Sequence, residues 1–421
     1  MCPGLSRRLI CATKSGRLPR SETFMNNLPS PSPIGPLTGI RVLDLTNVLA
    51  GPYACYQLGL MGAEVIKVER PGGGDLARQL GADPARNAAG MGTSFLAQNA
   101  GKKSVTLNMK DPRGRDLLHR LVEGAEVLVE NFRPGVMGRL GLGYDALKAS
   151  RADLIYCAIS GFGQDGPWRE DPAYDQIVQG LSGVMSITGD ATSAPLRVGY
   201  PVADTVGGMT AAFAIASALN ARPRGAYLDI SMTEAVLSTM GWVVSNHLIG
   251  GVDPAPQGNE NFTSAPSGTF MCQDAPINVA ANRDTQWEAL ARHLGRADLL
   301  VHPDYATRED RKANRHALRA ELETVLTTRP AGDWVVEMSA LGIPAGQVLS
   351  VPEVLTTDQI RGRDLISDLP DPVMGAPVVV DGARPHAAAP APVLGADNVE
   401  IYGALGLSQT ELEELQAEGV I

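Results

Sequence analysis

The residues best suited to chemistry lie within 153–208, and Asp175, in the run DPAYDQIVQGLSG, is their centre. Upstream, DLIYCAISGFGQDGP reads as a buried strand, Leu154 to Ile159, running into a glycine-broken loop. Downstream, PVADTVGGMTAAFAIASALNA reads as a helix that begins near Asp204. A carboxylate just past a strand's carboxyl end, opposite a helix amino end, sits where open α/β sheets place their ligands. Aspartate also caps helices, and Ile177, Val178 and Leu181 would continue a helix that starts at Asp175. Spacing leaves both roles open. Gly161, Gly163 and Gly166 allow close backbone approach to a substrate, or simply a tight turn.

Such residues need strands that end along one edge, and the pattern around them supplies these. Arg41 to Leu45 and Glu64 to Glu69 read as strands flanking an apolar helix, Tyr53 to Met61, which makes a βαβ unit on a parallel sheet. Val105 to Asn108, Glu126 to Glu130, Asp153 to Ile159 and Tyr227 to Ser231 read as further strands. Between the first two of these, Asp111-Pro112 starts a helix carrying Leu117, Leu118, Leu121 and Val122 on one face. Alternation of this kind predicts a doubly wound, Rossmann-like large domain. The first loop, TNVLAGP, lacks GxGxxG, so a dinucleotide fingerprint is absent and NAD is not implied.

After a long apolar helix, Thr233 to Leu248, and a Gly/Pro/Asn-rich loop, 250–267, the composition shifts. TFMCQD and INVAAN read as a hairpin, followed by helices over Asp284 to Leu294, Arg311 to Leu326 and Ala331 to Leu341, a smaller α+β domain. The expected division is a disordered tail (1–34), the large domain (35–225), a linker helix (226–250), the small domain (251–347) and a C-terminal segment (348–421).

Composition narrows the function classes. Apolar residues at 44% with 19% charged describe an ordinary globular protein, and no run approaches the ~18 apolar residues of a membrane span. A net charge of −10 without a long basic cluster argues against nucleic acid. The five cysteines form no CxxC and the six histidines no paired ligand spacing, so neither a disulfide framework nor a metal site is indicated, and the cytoplasm is the expected compartment. The first residues, MCPGLSRRLICATKSGRLPRSETF, are basic and faintly transit-like. An upstream start or a disordered tail is the preferred reading.

SGFGQDGP, AYDQIVQGLSG and PVADTVGGM resemble the corresponding stretches of the family III CoA-transferases, the carnitine dehydratase/bile-acid-inducible group. So do GIRVLDLTNVLAGPYACYQLGLMGAEVIKVERPGGGD, NAGKKSVTLNMKDPRG, VLVENFRPGVMGRLGLGYDAL and the terminal LGLSQTELEELQAEGVI. The resemblance runs from about Leu37 to Ile421 and implies that Asp175 is a covalent catalyst in an acyl-CoA:carboxylate CoA-transferase. It implies no metal or redox cofactor beyond CoA itself, an interlocked homodimer, and a C-terminal segment that returns to the large domain. A small dicarboxylate is the expected acid.

A CoA site must neutralise a 3′-phosphate and a pyrophosphate. The candidate cations near predicted strand ends are Arg70, Lys102, Lys103, Arg133 and Arg139, each equally a residue type of solvated surface. The resemblance adds Leu49 and Asn131 to the CoA contacts, and backbone N–H groups of NFRPG suit a phosphate. Gln164 is placed to donate to a thioester oxygen. Two departures matter. Some formyl-CoA transferases carry a glycine run that shields the intermediate, where this chain has APQGNENFTSAPSG. Related 2-methylacyl-CoA racemases place a His before the motif aspartate, where this chain has Tyr174, so racemase is the lesser reading although Asp204 matches their second acid/base residue. A CoA-binding protein without catalysis is a third.

Overall fold

The computed structural model describes residues 35–421, and the expected tail, 1–34, lies outside them. Six parallel strands form the large sheet: β1 (Arg41–Asp44), β2 (Glu64–Glu69), β3 (Lys103–Thr106), β4 (Val127–Glu130), β5 (Ile155–Ser160) and β6 (Ala226–Ser231). Their order is β3-β2-β1-β4-β5-β6, the doubly wound arrangement whose direction reverses between β1 and β4. The middle strands are buried on both faces because helices cover both. Leu43, Ile66, Leu128 and Tyr156 face Leu117, Leu118, Leu121 and Val122 of the Pro112–Glu123 helix. Val42, Val65, Val129 and Cys157 face the Ala50–Leu60 and Val202–Asn220 helices. These two helices cross closely because Gly208 has no side chain: a Cβ there would stand 2.4 Å from the Ala50 carbonyl oxygen.

The Val202–Asn220 helix is long and apolar enough to span a membrane by length and composition, which corrects the expectation that no segment would be. Its buried residues, Ala203, Gly207, Ala211 and Ile215 among them, form one stripe that packs into the large core.

The small domain is a three-stranded antiparallel sheet, β7 (Ser267–Met271), β8 (Pro276–Ala280) and β9 (Ala345–Gln347). Trp287, Leu318, Leu322, Trp334 and Met338 from its helices cover one side. Three sequence expectations change. The helix expected over 233–248 is two, Met232–Thr239 and Gly241–Leu248, parted where Gly241 takes φ 26°. The helix expected over 311–326 breaks at Asn314 into Arg308–Ala313 and Arg315–Leu326. Residues 226–231, placed in a linker, are β6 and belong to the large sheet.

Residues of the C-terminal segment cover the edge strand β3. Asp397 and Asn398 side chains accept from the Ser104 and Thr106 N–H groups at 2.7 and 2.8 Å, and the Tyr402 hydroxyl donates to the Thr106 carbonyl at 2.8 Å. Edge groups that would otherwise offer pairing to another chain are thereby filled.

Beneath β1 and β2 lies a buried ion network. Lys102 Nζ donates to Asp44 Oδ2 at 2.8 Å, to the Pro52 carbonyl at 2.9 Å and to Asn99 Oδ1 at 2.9 Å. Lys67 Nζ lies 3.0 Å from Asp75 Oδ2 and donates to the Thr46 carbonyl at 2.8 Å. Arg78 pairs with Glu69 through two bonds of 2.8 and 2.7 Å. Burial pushes the Asp44 carboxyl upward, but Lys102 and Lys67 together hold it down at about 2. Removing Lys67 leaves Asp75 charged and without its cation. Lys67→Met is therefore expected to lower the unfolding free energy by about 3–5 kcal/mol, read from urea melts followed by circular dichroism.

Candidate active site

Asp175 is the first residue of the Asp175–Leu181 helix, with Tyr174 at the N-cap position. Its carboxylate accepts from no backbone N–H of its own helix. Oδ1 accepts from the Ala203 N–H at 2.9 Å, in the first turn of the Val202–Asn220 helix, and Oδ2 accepts from Gln179 Nε2 at 2.7 Å. Capping and chemistry are thus not alternatives at this residue. It caps a different helix with one oxygen and presents the other toward Arg197, whose Nη2 lies 3.5 Å away. Gln179, one helical turn on and fully buried, also accepts from the Val198 N–H at 2.9 Å. The SGFG loop closes on this element because Gly161 has no Cβ; one there would stand 2.3 Å from the Ala173 side chain.

A cavity of about 250 Å³ opens beside Asp175, lined by 47–50 after β1, 131–134 after β4, 159–162 at the end of β5, and by Tyr174 and Asp204. It occupies the point where strand order reverses, the ligand crevice of a doubly wound sheet. The two loops flanking it are cross-linked: Asn47 N–H donates to Asn131 Oδ1 and Asn131 Nδ2 to the Asn47 carbonyl, both at 2.8 Å. Glu130 accepts from the Phe132 N–H at 2.7 Å and steadies the second loop. Val48 takes φ 68°, unusual for a β-branched residue, and its N–H is held by Asp75 Oδ1 at 2.9 Å. Burial, with Asp175 adding to it, pushes the Asp204 carboxyl up to about 7.

The expected site residues distribute as follows. Leu49, Asn131 and Arg133 line the cavity. Arg139 lies on the Val136–Arg139 turn with its guanidinium over Gly135, and neither Arg133 nor Arg139 is paired with an acid among the described residues. Arg70 is exposed and reaches back over its own loop, with Nε 3.4 Å from the Gly74 carbonyl. Lys102 is not brought to the cavity; its three N–H donors are all spent in the core network. Lys103 pairs with Glu64 and Glu400 at 3.0 and 2.6 Å. Both lysines lie at the amino end of β3, as they would for a strand starting at the expected Val105, whereas ligand crevices form at carboxyl ends. Gln164 donates its backbone N–H to Asp229 Oδ2 at 2.9 Å and keeps a buried, unpartnered Nε2; it is not among the cavity-lining residues. Gln179 and Arg197 were missed. The first was readable as the i+4 neighbour of Asp175, the second sits in a loop without periodic signal.

Fold and site together define a doubly wound α/β protein with a crevice where strand order reverses and an anchored carboxylate next in sequence to its lining. The chain belongs to CoA-transferase family III, whose model matches residues 37–398, and it is a CoA-transferase. It is 39% identical over 368 residues to the acetyl-CoA:oxalate CoA-transferase of Acetobacter aceti, covering 86% of this chain and 94% of that one. It is 34% identical over 393 residues to the succinate–glutarate CoA-transferase of Agrobacterium fabrum, covering 90% and 98%. Among solved structures, a CaiB/BaiF family protein from Brucella suis superposes with a TM-score of 0.79 at 33% identity, covering 88% of this chain and 99% of that one.

The raised Asp204 carboxyl has a signed consequence. Folded protein holds this proton between an ordinary unfolded value of ~4 and about 7, so its contribution to stability is complete below ~4 and lost as pH rises through 7. Asp204→Asn, which has no proton to lose, is expected to gain stability relative to the parent as pH is raised from ~5 to ~8. Paired melts at both pH values check it.

Proposed function

We propose that this enzyme moves CoA between a donor thioester and an acceptor dicarboxylate through covalent intermediates on Asp175. An Asp175 oxygen attacks the donor acyl carbon, the C–S bond breaks, and CoA leaves as thiolate from a mixed anhydride. The thiolate then attacks Cγ of Asp175 and expels the donor acid, leaving an aspartyl thioester. The acceptor runs the same two steps in reverse. One difficult exchange is divided into easier ones, and no metal or redox group is required.

The observation that carries this reading is the anchoring of Asp175. One oxygen is fixed by a helix amino end, the other by Gln179, and Asp175 directly follows the cavity-lining Ala173 and Tyr174. Arg133 and Arg139, unpaired among the described residues, are the cations proposed for the CoA phosphates, with Arg70 further out. Gln164 keeps a spare amide donor, but it is buried outside the cavity lining and its side chain would have to turn to reach a thioester oxygen. The names of the relatives support a dicarboxylate: oxalate, glutarate and mesaconate all appear among them. Exposed apolar side chains at Phe213, Trp242, Leu248 and Ile249 support a homodimer that would cover them.

The test separates chemistry from capping. Asp175→Asn keeps an oxygen for the Ala203 N–H, so it should fold like the parent, whereas Asp175→Ala loses the cap and about 1 kcal/mol of stability. Both are expected to abolish CoA exchange between thioester and acid, followed by mass spectrometry of the CoA products. A folded Asp175→Asn enzyme with near-parental exchange, assayed before deamidation, would sink the covalent reading.

A further inference from the structure

Among the described residues one cation touches Asp175, and it does so loosely. Arg197 Nη2 stands 3.5 Å from Oδ2, at the outer limit of a hydrogen bond, and the Arg197 side chain is 41% exposed against 10% for Asp175. Its backbone is fixed far better than its guanidinium. The buried Gln179 amide that holds Asp175 Oδ2 at 2.7 Å also accepts from the Val198 N–H at 2.9 Å and donates to the Tyr200 carbonyl at 3.3 Å. On the other side, Leu196 N–H bonds the Thr188 carbonyl at 3.1 Å, and the Gly258 N–H ties the adjoining turn to the small domain through the Gly189 carbonyl at 2.7 Å. The group that sets Asp175 therefore also sets the chain around Arg197, and leaves the guanidinium free to change partners.

A covalent cycle demands such a change. Asp175 alternates between an anion and a neutral acyl derivative, and in the neutral state Arg197 loses its counterion at the moment an anionic acid must enter. The chain carries a net charge of −10, so an anionic acid approaches a protein of its own sign. We propose that Arg197 seats the attacking carboxylate of the acceptor acid against the aspartyl carbonyl, an inference that rests on the covalent reading. In that step an acceptor oxygen bonds Cγ of Asp175, the C–S bond breaks, and the electron pair leaves on the CoA sulfur. The thiolate then takes the acceptor's acyl group, the Asp175 carboxylate reappears, and Arg197 recovers its first partner. A guanidinium suits the task because its fork matches a carboxylate in two bonds.

The experiment compares an anionic nucleophile with an uncharged one on the same intermediate. Arg197→Gln and Arg197→Lys are assayed with succinyl-CoA as donor and, as acceptor, whichever of oxalate, succinate (from acetyl-CoA) or glutarate the parent uses best. In parallel, hydroxylamine traps acyl-Asp175 as the hydroxamate, read on the peptide by mass spectrometry. For Arg197→Gln the acceptor KM is expected to rise about 10–100-fold while hydroxamate formation stays within about twofold of the parent, with Arg197→Lys between them. An unchanged acceptor KM overturns the inference, and so does an equal loss in both reactions, which marks a structural role. If the parent itself yields no hydroxamate on Asp175, the covalent reading falls and takes this inference with it.

Discussion

The salt link between Lys67 and Asp75, buried under the carboxyl ends of β1 and β2, is the constraint on which the site depends. Asp75 uses its other oxygen to hold the Val48 N–H, and Lys67 donates to the Thr46 carbonyl, so one ion pair grips the β1 loop twice. A β-branched residue at φ 68° costs on the order of 1–3 kcal/mol and persists only where its surroundings over-determine it. That loop forms one wall of the crevice and leads into the Ala50–Leu60 helix. The helix in turn meets Gly208 and so sets the Val202–Asn220 helix, whose first turn supplies the N–H that anchors Asp175. Charges a hundred residues or more away in sequence thus place the Asp175 carboxylate.

The electrostatics of the site follow from three side chains. Asp175 and Asp204 are close enough that burial and mutual repulsion keep a proton on Asp204 near neutrality. Asp175 has the helix amino end, the Gln179 amide and Arg197 to stabilise its charge.

Much of this arrangement was legible in the sequence, and the parts that were not share a cause. Strand–helix alternation is a local, periodic signal, and it yielded the sheet, the covering helices and the hairpin of β7 and β8. Asp175 was readable as a strand-end carboxylate, but its bonds to Ala203 and Arg197 join segments that no periodicity links. Lys102 and Arg133 look alike in sequence, both cations next to strands. Lys102 precedes its strand and Arg133 follows one, and the acid and carbonyl partners Lys102 finds in the core mark it as a structural ammonium rather than a cation lining the crevice. The three-residue β9 was too short to carry a pattern, and the split at Gly241 turns on a single backbone angle.

The central claim is that Asp175 exchanges an oxygen with each acid it serves. In the covalent cycle the departing donor acid takes an oxygen from Asp175 and the acceptor acid leaves one behind. A single turnover with an acceptor whose carboxylate carries heavy oxygen should therefore place one labelled oxygen on the peptide containing Asp175, detected by mass spectrometry after digestion. Formation of the new CoA thioester with no label on that peptide would contradict the account, because the acids would then have exchanged CoA without passing through this carboxylate.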